Sequence, residues 1–489
     1  MKRREDEMPK KRESRVNDFT PLPFEIDTQV DEALLTAHAG VPLAMELFRA
    51  SGAAKVVDRE VRLKERSRGL SASQMVESLM ALWLAGGERC EDLQRLREDE
   101  ALSQLLGYEL PSANAAREFL ERFDVEDGPL FRHGEEAVVP KDSEPLQGLG
   151  AAHRALLAAV QKCAPQQRAT LDVDATIVES HKRSAAVAYD GTTGFQPVVV
   201  LWAEQDLIVH DEFRAGNVPA GCGNRRILER ALEALPEGVK EICLRADTAL
   251  YENEVLAFCE ARGMGYAISA DMSRQLRQEI ERLPEEAWQL EVEEADAHRQ
   301  WAEVAYVPSD GDWRKDRPCL RRYLAVRILK KQGLLFPDGS DRRHFALVTN
   351  REGDGLALLR WHRQKAGTVE HAHDVLKNEL AGAALPSAKF GANAAWWRLN
   401  TLAFNLLSAL KRLALPGEFS DARPKRLRFM VLNVVGKVVR HARRMLLRLA
   451  NAAHLALLSL LRTKIRTFQV VLSGDRGRPW WVAHGSALW

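Results

Sequence analysis

Three acidic positions stand where a folding chain rarely leaves a carboxylate without a task. The segment Thr170-Leu171-Asp172-Val173-Asp174-Ala175-Thr176 ends an apolar stretch with two carboxylates. Burying such a group is costly unless it meets a cation or a proton donor. Strand periodicity sends Asp172, Asp174 and Thr176 to one face, with Val173 and Ala175 opposite; a strand-end pair of Asp capping a turn is the plainer use. In Ile242-Cys243-Leu244-Arg245-Ala246-Asp247 an acid follows an apolar strand and precedes a helix. That is the edge where α/β sheets hold ligands, although an Asp there also suits a helix N-cap. The third segment places Glu370 within a helical pattern from Trp361 to Leu380. Arg363, Glu370 and Lys377 recur every seven residues and so share one stripe. A carboxylate flanked by two cations can hold a metal ion while its neighbours grip phosphates, but a solvated charged stripe has the same spacing.

The elements around these acids follow from periodicity. Ala169–Val178, Val198–Glu204 and Leu207–Phe213 read as strands, the last two joined so tightly that a hairpin is expected. Ile227–Leu235 is helical, Val239–Arg245 a strand, Glu252–Ala261 helical and Tyr266–Ser269 a short strand. Three strands, a helix, a strand, a helix and a strand is the order of a ribonuclease-H-like core, a mixed α/β fold. Between Ser273 and Asn350 the alternating segments Trp301–Val307, Arg322–Ile328 and His344–Thr349 indicate a β-rich insertion standing apart from the core sheet. Before the core, Ala33–Phe123 is helical, with a capping box at Ser71 and Gln74 and a second start at Pro111-Ser112. After it come Ala394–Ala409 and basic helices to about Arg466. The domain expectation is a mobile tail (1–25), a helical DNA-binding region (26–150), a catalytic core (151–272 and 354–410), a β-rich insertion (273–353) and a basic helical C-terminal region (411–489).

Composition narrows the class. The 489 residues and 46% hydrophobic content allow several domains with a substantial core. The 70 Lys and Arg nearly balance the 69 Asp and Glu, yet residues 411–466 hold 14 basic residues against Glu418 and Asp421. A neutral chain with a basic end binds a polyanion through that end, because binding follows local potential. Arg443, Arg444 and Arg448 are the residues expected on phosphates. Six scattered cysteines form neither a CxxC pair nor a His/Cys cluster, which fits a reducing compartment and no zinc site. The N-terminus has no signal core, and Met445–Leu461 is too short and too interrupted to span a bilayer. The expectation is a protein of the bacterial cytoplasm, at the nucleoid, with no membrane partner.

Taken together, the motifs resemble the DDE transposases of bacterial insertion sequences. The likeness rests on Asp174-Ala175-Thr176, on Arg245-Ala246-Asp247 with Tyr251 following, and on Glu370 with Lys377. It is to the branch with a β-rich insertion between the second Asp and the Glu, whose signature is Tyr-x2-Arg-x3-Glu-x6-Lys. Gly194-Phe195-Gln196-Pro197, the segment Glu212–Asn217, Phe390-Gly391-Ala392-Asn393, Asn405, Leu110–Asn114 and Arg440–Arg444 are similar to one subgroup. Two positions depart from the signature: Arg363 stands in place of the Tyr and Ala366 in place of the Arg, with Lys365 adjacent. The resemblance implies that Asp174, Asp247 and Glu370 are the metal-binding catalytic triad. Asp174 is taken over Asp172 for its spacing to Thr176. It also implies phosphate contacts at Lys377, with Lys365 and Arg363 as further positions.

On that reading two divalent ions, Mg2+ with Mn2+ as substitute, activate a water or 3′-hydroxyl and stabilise the leaving oxygen of an in-line displacement at phosphorus. The partners are double-stranded DNA, as terminal inverted repeats and target, and a second copy in a homodimeric synaptic complex. Branch relatives pass through a hairpin intermediate, which makes Trp288, Trp301 and Trp313 positions for stacking on an unstacked base; core tryptophans are the plainer account. Two alternatives remain. One is a haloacid-dehalogenase-like phosphatase with Asp172 as nucleophile and Asp174 as acid, a fold that needs a parallel sheet. The other is a catalytically decayed, DNA-binding transposase relative.

Overall fold

The computed structural model describes residues 33–63, 69–125, 130–133, 137–308, 321–331 and 333–473. The expected tail at 1–25 and Trp313 lie outside them. Five strands form the centre: Arg168–Ala175 (β1), Val198–Trp202 (β2), Leu207–Glu212 (β3), Glu241–Ala246 (β4) and Gly265–Ser269 (β5). Their order in the sheet is β3-β2-β1-β4-β5. The pairs β3–β2 and β2–β1 are antiparallel, whereas β4 pairs in parallel with both β1 and β5. Helices α1 (Asn224–Ala234) and α2 (Asn253–Ala261) make the two crossovers. This is the ribonuclease-H-like arrangement expected from the order of elements. It excludes the phosphatase fold, because β2 returns antiparallel directly after the Asp172/Asp174 strand.

The interval before Glu370 is β-rich, as expected, but it does not stand apart from the core sheet. Strands Gln289–Glu293 (β6), Ala297–Val304 (β7), Arg322–Lys330 (β8) and Arg342–Thr349 (β9) extend the same sheet to nine strands, in the order β6-β7-β8-β9-β5-β4-β1-β2-β3. The joint is the antiparallel pair β9–β5, with Ala267 opposite Thr349. The physical reason is edge satisfaction: β5 would otherwise present unpaired backbone groups, and β9 takes them up.

Three helices follow: α3 (Gly355–Arg363), α4 (Val369–Asn378) and α5 (Phe390–Leu413). In α5 every residue from Gly391 to Leu410 is buried, as a helix apolar around its whole circumference must be. Several of its polar residues are answered by the surrounding elements. Asn405 accepts from the Ile208 amide at 2.7 Å and donates to the Ile208 carbonyl at 2.7 Å. It thereby acts as a strand partner to the outer edge of β3. Helices from the N-terminal region pack on α5 from the other side, among them Ala72–Ala85, whose Ser71/Gln74 capping box is formed.

At the C-terminal end, the basic residues from Lys437 to Arg448, expected on helices, lie on a β-hairpin instead. Gly436–His441 pairs with Arg444–Leu449, and Leu35–Thr36 adds a third strand. The two turn residues, Ala442 and Arg443, have φ of 47° and 64°, the conformation of the tight two-residue hairpin turn. A helix, Ala452–Ser473, follows. Among the described residues no helix is long and apolar enough to cross a membrane.

Candidate active site

Because β1 and β4 are parallel and adjacent, both leave the sheet at the same edge. Asp172 is opposite Arg245 and Val173 opposite Ala246, so Asp174 and Asp247 come out side by side. Asp247 accepts a hydrogen bond from the Ala249 amide at 3.0 Å, which makes it the cap of the short turn Thr248–Leu250. The capping use weighed from sequence is thus realised, and it fixes the carboxylate at the sheet edge.

The Trp361–Leu380 segment is not one helix. It breaks into α3, a tight turn at Gln364–Gly367, and α4. Arg363 therefore does not share a stripe with Glu370 and Lys377. It turns toward the insertion, where it pairs with buried Glu291 on β6. Glu370 lies in the first turn of α4 and is itself exposed.

The break places Lys365 inside the protein, 7% exposed, with Nζ 3.3 Å from Asp174 Oδ1. Lys365, a further position for a phosphate contact on the resemblance, is thus engaged in a buried ion pair here. His373, one turn after Glu370, brings Nε2 to 3.9 Å from Asp174 Oδ2. Burial pushes its imidazole down to about 3, reinforced by Lys377 and Lys365, so it sits there neutral. The Asp174 carboxyl is pushed up to about 6, first by burial, then by the charges of Asp247 and Glu370, against the pull of Lys365. The charges of two carboxylates from two other elements therefore reach Asp174 at this sheet edge.

Asp172 has a different setting. It is fully buried, and Arg245 grips it with two hydrogen bonds of 2.6 and 2.7 Å. The Thr368 hydroxyl donates to its second oxygen. A carboxylate held in this way has no free face for a substrate. Arg245, Thr368 and His373 were not singled out from sequence as site residues. The available signal was an offset of two: Asp172 before Asp174, Arg245 before Asp247, Thr368 before Glu370.

Lys377 Nζ donates a 3.4 Å hydrogen bond to the Ile177 carbonyl, just past β1. Asp374, the neighbour that could have paired with it, binds Arg423 at 2.5 Å instead. Trp288 and Trp301 are both mostly buried: Arg327 lies 4.3 Å over the Trp288 ring, and Trp301 packs with Leu324, Leu347 and Leu358. Neither ring offers a face to a base. Beside Asp247 a cavity of about 810 Å³ is lined instead by Tyr189, Tyr251 and Tyr306.

Among the described residues no three His, Cys, Asp or Glu side chains are gathered closely enough to hold a metal ion as they stand. The donor chemistry nevertheless fits one: carboxylate oxygens suit a hard divalent cation, and the mutual repulsion on Asp174 is what such a cation relieves.

No curated protein sequence matches the chain. A similar solved structure, described as a cryo-EM structure of the piggyBac transposase synaptic complex with hairpin DNA, aligns over 91% of this chain and 84% of that one. The identity is 8% and the TM-score 0.40. The family model described as "Transposase DDE domain group 1" matches residues 24–469, spanning both the sheet edge and the helices around it, and the chain accordingly belongs to the DDE transposases.

Proposed function

We propose that this protein cuts DNA at the terminal inverted repeats of an insertion sequence and joins the freed ends to target DNA, by metal-dependent phosphoryl transfer. Asp174, Asp247 and Glu370 are the acids of the reaction. One observation carries the reading: the parallel pairing of β1 and β4 brings Asp174 and Asp247 out side by side at one sheet edge, where the charge of Glu370 also bears on the half-buried Asp174. Like charges are driven together in this way where a cation is to be held. DDE transposases generally work with divalent metal ions, and the oxygen donors here favour Mg2+, with Mn2+ as substitute. When bound, such ions supply an activated oxygen nucleophile and stabilise the departing one.

The chain's own groups prepare the site for this. Asp247 is fixed by its cap to the following turn. Lys365 balances the charge of Asp174 and keeps the buried carboxyl ionisable. Neutral, buried His373 walls Asp174 on the inner side. Lys377, on the turn of α4 beyond Glu370, reaches the end of β1 and is placed to grip a backbone phosphate there. The hairpin with Lys437, Arg440, Arg443, Arg444 and Arg448 supplies charge for the DNA flank, and a two-stranded ribbon is a shape that a major groove admits. The working assembly is a homodimer that pairs two element ends at the bacterial nucleoid.

The test is single-turnover cleavage of DNA carrying the element's own ends, taken from the inverted repeats that flank the coding sequence. Wild-type protein with Mg2+ nicks at the repeat boundary, whereas Asp174→Asn, Asp247→Asn and Glu370→Gln each lower the rate by at least a thousandfold while still binding the ends. Cleavage surviving any one substitution removes that residue from the triad. A second reading, a decayed relative that binds DNA without cutting it, is favoured by the ammonium of Lys365 lying against Asp174. End binding without cleavage by the wild type, at any Mg2+ or Mn2+ concentration, identifies that case.

A further inference from the structure

We propose that Asp172, Arg245 and Thr368 form a buried clamp that sets Glu370 against Asp174 and Asp247, which makes them positioning residues of the reaction. The inference rests on the reading of those three acids given above. Each member of the clamp lies two residues before one of them on the same segment: Asp172 on β1, Arg245 on β4, Thr368 at the start of α4. On a strand, two residues keep a side chain on the same face one step further along. On β1 this puts Asp172 one step inside Asp174, and on β4 Arg245 lies one step before Asp247; Thr368, which enters α4, joins them through its hydroxyl.

The bonding closes the clamp across all three elements. Asp172 takes two bonds from Arg245 and one from the Thr368 hydroxyl. Arg245 also donates from Nη1 to the Trp361 carbonyl at 2.7 Å and to Gln364 Oε1 at 3.2 Å, with its guanidinium 5.2 Å over the Trp361 ring. The last turn of α3 and the first residue before α4 are thus tied to one ion pair on the sheet. The carbonyl of Trp361 accepts from the Gln364 amide that ends α3 and, in addition, from Arg245. The tie spans the tight turn Gln364–Gly367, where the helical path is interrupted. The other polar ties of α4, the Asp374–Arg423 pair and the Lys377 bond to the Ile177 carbonyl, lie further along the helix, so the clamp is what fixes the end that carries Glu370.

Stability does not explain the arrangement. A buried ion pair costs about as much in desolvation as it returns, and apolar side chains of equal volume often do as well. What the pair supplies is direction: a planar guanidinium fork on a carboxylate permits one relative placement of β1 and β4, and the hydroxyl adds α4 to it.

Thr368→Val removes the hydroxyl at constant shape and leaves the Asp172–Arg245 pair intact. The readouts are end-DNA affinity, thermal unfolding, single-turnover cleavage, and the Mn2+ concentration giving half of the thermal stabilisation. The expected result is unchanged DNA affinity, a cleavage rate lowered at least tenfold, and an Mn2+ midpoint raised at least fivefold. Thr368→Ser returns both to within threefold of wild type. A Thr368→Val protein that cleaves and titrates like wild type overturns the clamp. Should that variant unfold, Arg245→Lys, which keeps the charge but loses the fork, decides by the same readouts. Asp174→Asn is run alongside. If it is inactive while Thr368→Val is normal, only the clamp fails; if it cleaves, the reading of the site fails and takes the clamp with it.

Discussion

Removing the Lys377 ammonium separates a role in chemistry from a role in folding. Seven residues along α4 advance about 10.5 Å and return to nearly the same side, so Lys377 and Glu370 face one way but are too far apart to pair. The nearer acid, Asp374, is engaged by Arg423. Among the described residues the ammonium forms no ion pair, and its hydrogen bond to the Ile177 carbonyl is long, at 3.4 Å. A bond of that length is at the weak end of the range, on the order of 0.5 kcal/mol. Lys377→Ala should accordingly shift the thermal midpoint by no more than about 2 °C. If Lys377 grips the phosphate beside the reacting one, cleavage should fall at least tenfold, about 1.4 kcal/mol of transition-state stabilisation. The assay is single-turnover nicking of end DNA at saturating protein, read beside differential scanning calorimetry. Full nicking at unchanged stability refutes the argument, as does a loss of nicking that merely follows a loss of stability.

Further outcomes are expected. In metal-free protein, the raised Asp174 pKa favours the folded state below the unfolded value near 4, and that contribution is lost as pH rises through about 6. Divalent ions require the ionised form, so Mn2+ affinity should fall about tenfold per pH unit below 6; a flat affinity from pH 4 to 7 would mean that Asp174 is not a ligand. Replacing Arg443, Arg444 and Arg448 together by Ala should weaken end binding and reduce the salt slope by roughly 2 to 3, at about 0.9 per lost phosphate contact; an unchanged slope assigns these charges to solvation alone. Trp301→Ala should destabilise the protein by roughly 3–5 kcal/mol without a specific defect after nicking. Gly355 packs so closely on that ring that an added Cβ would lie 2.3 Å from it. A normally stable Trp301→Ala protein that stalls after the nick would restore the stacking role instead.

The sequence by itself determined the central elements and their order. β1, β4 and β5 are short apolar runs with polar boundaries, and α1 and α2 have clear helical periodicity. Asp174 and Asp247 stood out because a carboxylate at the end of an apolar run is an energetic anomaly wherever the run is placed, whereas Glu370 stood out only through its spacing to Lys377 and the family resemblance. What local pattern could not convey was which edge meets which. Alternation marks β9 as a strand, but only tertiary pairing with β5 makes the insertion part of the core sheet. The hairpin at Ala442-Arg443 was hidden because neither residue is the Gly or Asn that such a turn usually demands, and the flanking basic and apolar residues also suit a helix. The break before α4 was hidden for the converse reason. Residues 361–380 keep a helical rhythm, and Thr368 leaves it, held by a hydroxyl bond to Asp172, 196 residues away in the chain. Choosing between Asp172 and Asp174 was likewise a tertiary matter. Both lie on one face of β1, and the difference in their surroundings comes from Arg245 on a neighbouring strand and from Lys365 in a turn that exists only because the helix breaks.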